Sequence, residues 1–193
     1  EKMRRCYEDD DQMLVFLQGQ NGSGKTFVAQ HLSKILGLDI RFSATTNQAA
    51  ALLDAGTINS LLVVHLNEET QSGRFKEPSA ATIQRIIDAM RDKDGLLIDE
   101  CSMLSPSLLA LIDFKLRHSL GKDRPFGGKH VILVGDMVQF KPVGRKHALY
   151  EAILRYTKGQ DLSRNCKVGA QLFTLFTMVE LQGQARATKA YYK

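Results

Sequence analysis

The run Gly19-Gln20-Asn21-Gly22-Ser23-Gly24-Lys25-Thr26 fits the spacing GxxxxGK[ST], and that spacing has a defined chemical use. Its glycines let backbone N–H groups close around phosphate oxygens, and a helix opening behind the loop adds a favourable dipole. All of these residues are therefore candidates for phosphate binding. Lys25 is the candidate for the β- and γ-phosphates of a nucleoside triphosphate, and Thr26 for a magnesium ion bound with it. The expected cofactors are ATP and Mg2+.

Two acidic segments follow further along the chain. In Leu96-Leu97-Ile98-Asp99-Glu100, a carboxylate leaving an apolar strand can coordinate magnesium directly or through water. The next carboxylate can orient and deprotonate an attacking water. Asp99 is thus the candidate magnesium residue and Glu100 the candidate general base. In residues 134–142 (VGDMVQFKP), Gln139 can hydrogen-bond a γ-phosphate or the attacking water and so distinguish ATP from ADP. Each segment alone also fits a solvated strand end. With the phosphate loop they form one site, because adjacent parallel strands deliver their C-terminal ends to one crevice.

Positioning these groups requires alternating strands and helices. Residues 13–17 (MLVFL) read as a buried strand, followed by a helix over about 25–36. A second strand over 40–44 precedes a helix over 47–53, and residues 96–98 and 131–134 are two more buried strands. Ser105-Pro106 has the form of an N-cap with proline in the first helical position, opening a helix to about 120. This rhythm predicts an α/β fold with a mostly parallel sheet between helices. The polar residues 67–79 interrupt it, as either a surface loop or a small inserted hairpin. Phe75 is the only aromatic in that stretch and its candidate for stacking on bases. Residues 121–129 (GKDRPFGGK) read as a second loop.

Composition bounds the rest. The chain has 193 residues, 44% hydrophobic and 24% charged, ordinary for one folded domain. Its three cysteines, Cys6, Cys101 and Cys166, form no CxxC pair, which excludes a disulfide scaffold and points to a reducing compartment. Cys101 follows the acidic pair in an apolar run and reads as a packed thiol. No apolar run reaches the roughly 20 residues of a membrane span. The first eleven residues are too acidic for a signal peptide, so an intracellular protein with no membrane partner is expected. The net charge of +5 is uneven: residues 1–140 carry 16 basic against 18 acidic residues, and residues 141–193 carry 10 against 3. A basic C-terminal stretch beside a neutral body suits a polyanion such as nucleic acid, although a solvated face is equally compatible.

The segments GQNGSGKT, LLIDECSML and VILVGDMVQFKPV, in this order, resemble the nucleotide-binding motifs of superfamily-one DNA helicases. DECSM is similar to the DExSM signature of the Pif and RecD-like branch. FSATTNQAAALLDAGTINS resembles that branch's threonine-alanine motif and the TIHS sequence after it. PFGGKHVILVGDMVQFKPV is also similar to the helicase part of Helitron-type transposon proteins. The resemblance runs from about residue 13 to 186 and implies the first RecA-like P-loop NTPase domain of a helicase. Such a domain hydrolyses ATP to move along single-stranded DNA and unwind duplex.

Carried over residue by residue, the resemblance makes Lys25, Glu100, Gln139 and Arg186 catalytic, with Arg186 contacting the γ-phosphate. Arg186 sits in a degenerate LQGQAR motif, and a plain surface arginine is the alternative. Thr45 and Thr46 match positions that touch the backbone of single-stranded DNA, with their hydroxyls expected to face the polymer. Asn59, in place of the histidine of TIHS, and Phe140-Lys141, in place of Leu-Pro, are further candidates on the DNA path. The glutamine segment that reads adenine lies upstream of Gln12 in the family and has no counterpart here. The implied partners are single-stranded DNA and a second RecA-like domain, for which nothing in these residues supplies the motifs. The chain is therefore expected to be part of a longer protein or a stand-alone remnant, and to act as a monomer. A nuclear or mitochondrial location is expected if the source is eukaryotic. A superfamily-one RNA helicase and a non-catalytic ATP-binding remnant are the competing functions.

Overall fold

The computed structural model describes residues 12–20, 22–65, 68–137 and 148–182. Strand β1 (Leu14–Gly19) leads through the phosphate loop into helix α1 (Lys25–Leu36). Then come β2 (Ile40–Ala44), α2 (Asn47–Leu52), the two-residue β3 (Gly56–Thr57) and α3 (Ile58–Leu61). A second helical run, α4 (Ala80–Met90), precedes β4 (Gly95–Asp99) and the long α5 (Pro106–Leu120). The chain then forms β5 (His130–Gly135), α6 (Leu149–Thr157), α7 (Arg164–Phe173) and β6 (Thr177–Leu181).

The strands form one sheet in the order β3-β2-β4-β5-β1-β6, every pair parallel. Apolar side chains alternate between its faces, as the two-residue period of a strand requires. Val15, Leu17, Leu97, Ile132 and Val134 pack with Ala29, Ala49 and Ala50 under α1 and α2. Phe16, Leu96, Ile98, Val131 and Leu133 pack with Ile86, Leu109, Ile112 and Leu116 under α4 and α5. Helix α5 starts where its sequence says it should: the Ser105 hydroxyl accepts from Leu108 N–H at 3.2 Å and Pro106 follows. Among the described residues no helix is long and apolar enough to cross a membrane.

Several elements went unread in the sequence: helices α3, α4, α6 and α7, and the edge strands β3 and β6. Both edges are short or half-exposed, so neither carries the continuous apolar run of a central strand. Residues 68–76 close as a minimal hairpin, with an antiparallel bridge between Glu69 and Phe75 and Lys76 N–H donating to Glu68 O at 2.8 Å. The hairpin is fastened to the body. Asn165 Nδ2 donates to Gly73 O at 3.1 Å, and Lys115 Nζ to Glu68 Oε1 at 2.7 Å. The Phe75 ring lies 5.5 Å from that of Phe114 and joins the core. Phe75 is half-buried, and its ring packs against Phe114 at the edge of the core.

Candidate functional site: a nucleotide crevice at the strand tips

The phosphate loop turns at the C-terminal end of β1, and its glycines meet real constraints. Gly24 caps α1 with φ 82°, a left-handed backbone that disfavours any Cβ. A Cβ on Gly19 would lie 2.6 Å from Ser23 Oγ. Lys25 Nζ donates to Gly19 O at 2.7 Å and to Gln20 O at 3.0 Å, so its ammonium spans the mouth of the loop. Ser23 Oγ is buried with no hydrogen-bond partner among the described residues, a polar atom left over inside the cradle. Gly22 belongs to the same turn at φ 81°. Asn21 lies outside the described residues.

Opposite the loop stands the tip of β4. Thr26 Oγ1 donates to Asp99 Oδ2 at 2.9 Å across 73 residues of sequence. Asp99 is buried, and its other oxygen accepts the N–H of Glu100 at 2.8 Å. A hydroxyl and a carboxylate meeting beside a phosphate loop are hard oxygen donors, the set with which magnesium is held together with substrate phosphates. No cluster of three or more His, Cys, Asp or Glu stands ready as an all-protein metal cage among the described residues. Burial, helped by the neighbouring charges of Asp99 and Asp136, pushes the Glu100 carboxyl above its ordinary range, while Lys25 opposes the shift. A carboxylate raised in this way takes up a proton more readily at neutral pH, the adjustment a general base uses. Cys101 is fully buried behind it, its thiol pushed far up by burial.

A residue missed in the sequence completes the crevice. Gln18 Nε2 donates to Asp136 Oδ1 at 3.2 Å, and Gln18 Oε1 accepts from Met137 N–H at 3.1 Å. One amide thus ties the tip of β1 to the first residues of the segment that leads to Gln139. Its only sequence signal was a polar residue at the end of an otherwise apolar strand. Gln139, Phe140, Lys141 and Arg186 lie outside the described residues.

Of the expected DNA positions, Thr45 and Thr46 lie at the same end of the sheet, with a different orientation. The Thr45 hydroxyl donates to the carbonyl of Glu100 at 2.8 Å, pointing toward β4 and not outward. The Thr46 hydroxyl caps α2 by accepting from Ala49 N–H at 3.2 Å. The expectation that both hydroxyls face a polymer is corrected accordingly: strand-end and helix-start geometry takes them first. Asn59 is exposed on α3. Gln12 donates to Pro125 O and Lys129 O at the opposite end of β1, far from the phosphate loop. Of the basic stretch, Arg155, Lys158, Arg164 and Lys167 are exposed on and beside α6 and α7.

Comparison with known proteins agrees with this geometry. The family model for PIF1-like helicases matches residues 3–190. The ATP-dependent DNA helicase Pif1 of Psychrobacter sp. is 32% identical over 135 residues, which is 68% of this chain and 20% of that protein. The ATP-dependent DNA helicase PIF6 of Trypanosoma brucei brucei is 33% identical over 151 residues, 76% of this chain and 18% of that protein. Among solved structures, Bacteroides Pif1 bound to single-stranded DNA superposes with a TM-score of 0.71 at 29% identity, covering 100% of this chain and 43% of that one. The Bacteroides Pif1 complex with ADP-AlF3 and single-stranded DNA gives 0.71 at 31% identity, covering 98% and 43%. The chain therefore spans about a fifth of these curated relatives' length and under half of the solved chains. The fold is a RecA-like P-loop domain, and the chain belongs to the PIF1-like helicase family.

Proposed function

We propose that this chain is the first motor domain of a DNA helicase, hydrolysing ATP to translocate on single-stranded DNA and unwind duplex. The observation that carries the reading is the meeting of Thr26 and Asp99 at 2.9 Å beside the phosphate loop, with Glu100 next in line. The loop amides and Lys25 would hold the β- and γ-phosphates, and Thr26 and Asp99 would hold the magnesium. Bound there, magnesium neutralises charge on the phosphates. Glu100 accepts the proton of the attacking water, and Gln139 and Arg186 carry the γ-phosphate contacts that the family resemblance assigns them. Single-stranded DNA crosses the strand-tip end near residues 45, 46 and 59 and the Phe140–Lys141 segment, held by backbone contacts with little sequence preference. The Bacteroides relative captured with single-stranded DNA supports that partner. A second RecA-like domain supplies the other wall of the cleft, because work requires an interdomain geometry that hydrolysis can change.

The test is turnover. Glu100→Gln leaves ATP binding nearly intact and slows DNA-stimulated hydrolysis by about 10²–10⁴-fold, the contribution of a positioned base. Native-rate hydrolysis by that variant removes Glu100 from the mechanism. A native protein stimulated by RNA and not by single-stranded DNA overturns the choice of polymer.

A further inference from the structure

The backbone of Glu100 is unusual, and Thr45 is what holds it. Glu100 has φ 53° and ψ 41°, a left-handed conformation that a residue with a Cβ keeps only where its surroundings enforce it. Its N–H is held by Asp99 Oδ1 at 2.8 Å. Its carbonyl accepts the Thr45 hydroxyl at 2.8 Å and Met103 N–H at 3.2 Å. Thr45 is itself fixed, since its N–H donates to Asp99 O at 3.1 Å, continuing the β2–β4 ladder one residue past Ala44. The peptides on both sides of Glu100 are thereby locked to Thr45 at the tip of β2 and to the turn that follows β4, which sets the direction in which the carboxylate leaves the chain.

We infer that Thr45 is a positioning residue for the base: its hydroxyl fixes the peptide that aims Glu100 into the crevice beside Lys25. The inference rests on Glu100 being the base, and it assigns to Thr45 a role distinct from contact with DNA. Position matters here because displacement of a reacting group by about 1 Å can cost roughly 10²-fold in rate.

The experiment compares native protein, Thr45→Val and Thr45→Ser in ATP hydrolysis at saturating single-stranded DNA, with DNA affinity and melting temperature measured alongside. Valine keeps the shape and removes the donor; serine keeps the donor. Thr45→Val lowers kcat by about 10–100-fold with KM for ATP unchanged and DNA affinity lowered far less than the rate, and Thr45→Ser restores most of the rate. In a Glu100→Gln background, Thr45→Val adds little, because both substitutions remove the same function. Amide hydrogen exchange at residues 99–103 rises in Thr45→Val, reading the clamp without turnover. Native kcat in Thr45→Val, a serine variant as slow as valine, or a loss of DNA affinity matching the loss of rate each overturns the positioning role alone. A native protein that turns over no ATP overturns the hydrolysis reading, and the positioning role with it.

Discussion

Lys25 and Lys115 each point an ammonium at two backbone carbonyls, and their surroundings give them opposite meanings. Lys25 spans Gly19 O and Gln20 O at the mouth of a partly exposed loop. Lys115 lies on α5 with its side chain only 1% exposed, donating to Leu62 O at 3.2 Å, Val63 O at 2.7 Å and Glu68 Oε1 at 2.7 Å. An ammonium has three donors, and Lys115 commits all of them to the fold, one to a compensating carboxylate. That is the condition for burying a charge at tolerable cost. In the function proposed for it, the lysine at the phosphate loop exchanges main-chain acceptors for phosphate oxygens without leaving an orphan in the interior. A binding lysine is thus distinguished from a structural one less by the acceptors it has than by whether they can be given up.

The comparison is most directly broken by exchanging the losses. Lys25→Ala reduces ATP hydrolysis by at least about 10²–10³-fold, the effect of removing a donor aimed at developing charge, and leaves urea unfolding nearly unchanged. Lys115→Met should do the reverse, costing about 3–5 kcal/mol because Glu68 is left beside an uncompensated site, with little effect on KM for ATP. Equal destabilisation by the two substitutions would erase the distinction.

A smaller effect sharpens it through pH. Burial opposes the charged form of Glu68, but the His65 amide and the Lys115 ammonium outweigh it and hold the carboxyl below its ordinary value of 4.5. A depressed acid stabilises the fold above its unfolded pKa, and that contribution is lost as pH falls through the folded value. Native protein therefore loses stability below about pH 4.5 more steeply than Glu68→Gln, as acid titration of the melting temperature will reveal; parallel curves would mean the pair adds nothing.

The smallest expected change is at the cap of α2. Thr46→Ala costs about 1 kcal/mol through the lost bond to Ala49 N–H, with single-stranded DNA affinity altered less than stability. A large fall in affinity with unchanged stability would return Thr46 to the DNA face.

What could be read in the sequence divides along the same line. The places of the phosphate loop, Asp99 and Glu100 at the strand tips were legible because these residue types follow apolar strands at a fixed spacing. The cap at Ser105 and the start of α5 were legible because their hydrogen bond spans three residues. The Lys115 clamp and the Gln18 strap were not, since their partners lie 47 to 119 residues away and only the folded sheet brings them together. Thr45 was located correctly at a strand tip, yet a position in a motif does not say which way a hydroxyl turns. The packing of Phe75 was not legible for a similar reason: a polar stretch of sequence concealed a ring that lies against Phe114.

The strand order also governs when the molecule can exist during its own synthesis. β1 precedes the other described strands in the chain, yet its neighbours are β5 and β6, which end at Gly135 and Leu181. Until residues 130–135 leave the ribosome, the apolar stretch LVFL has no partner on either edge, and the phosphate loop has no Asp136 for Gln18 to hold. Nascent chains halted after α5 therefore present an unpaired, hydrophobic central strand, the kind of edge that chaperones cover and aggregates recruit. Long-range parallel pairing of this kind also closes slowly, so the strap from Gln18 to Asp136 beside the phosphate loop forms late, as the tip of β5 docks against a strand made more than a hundred residues before it.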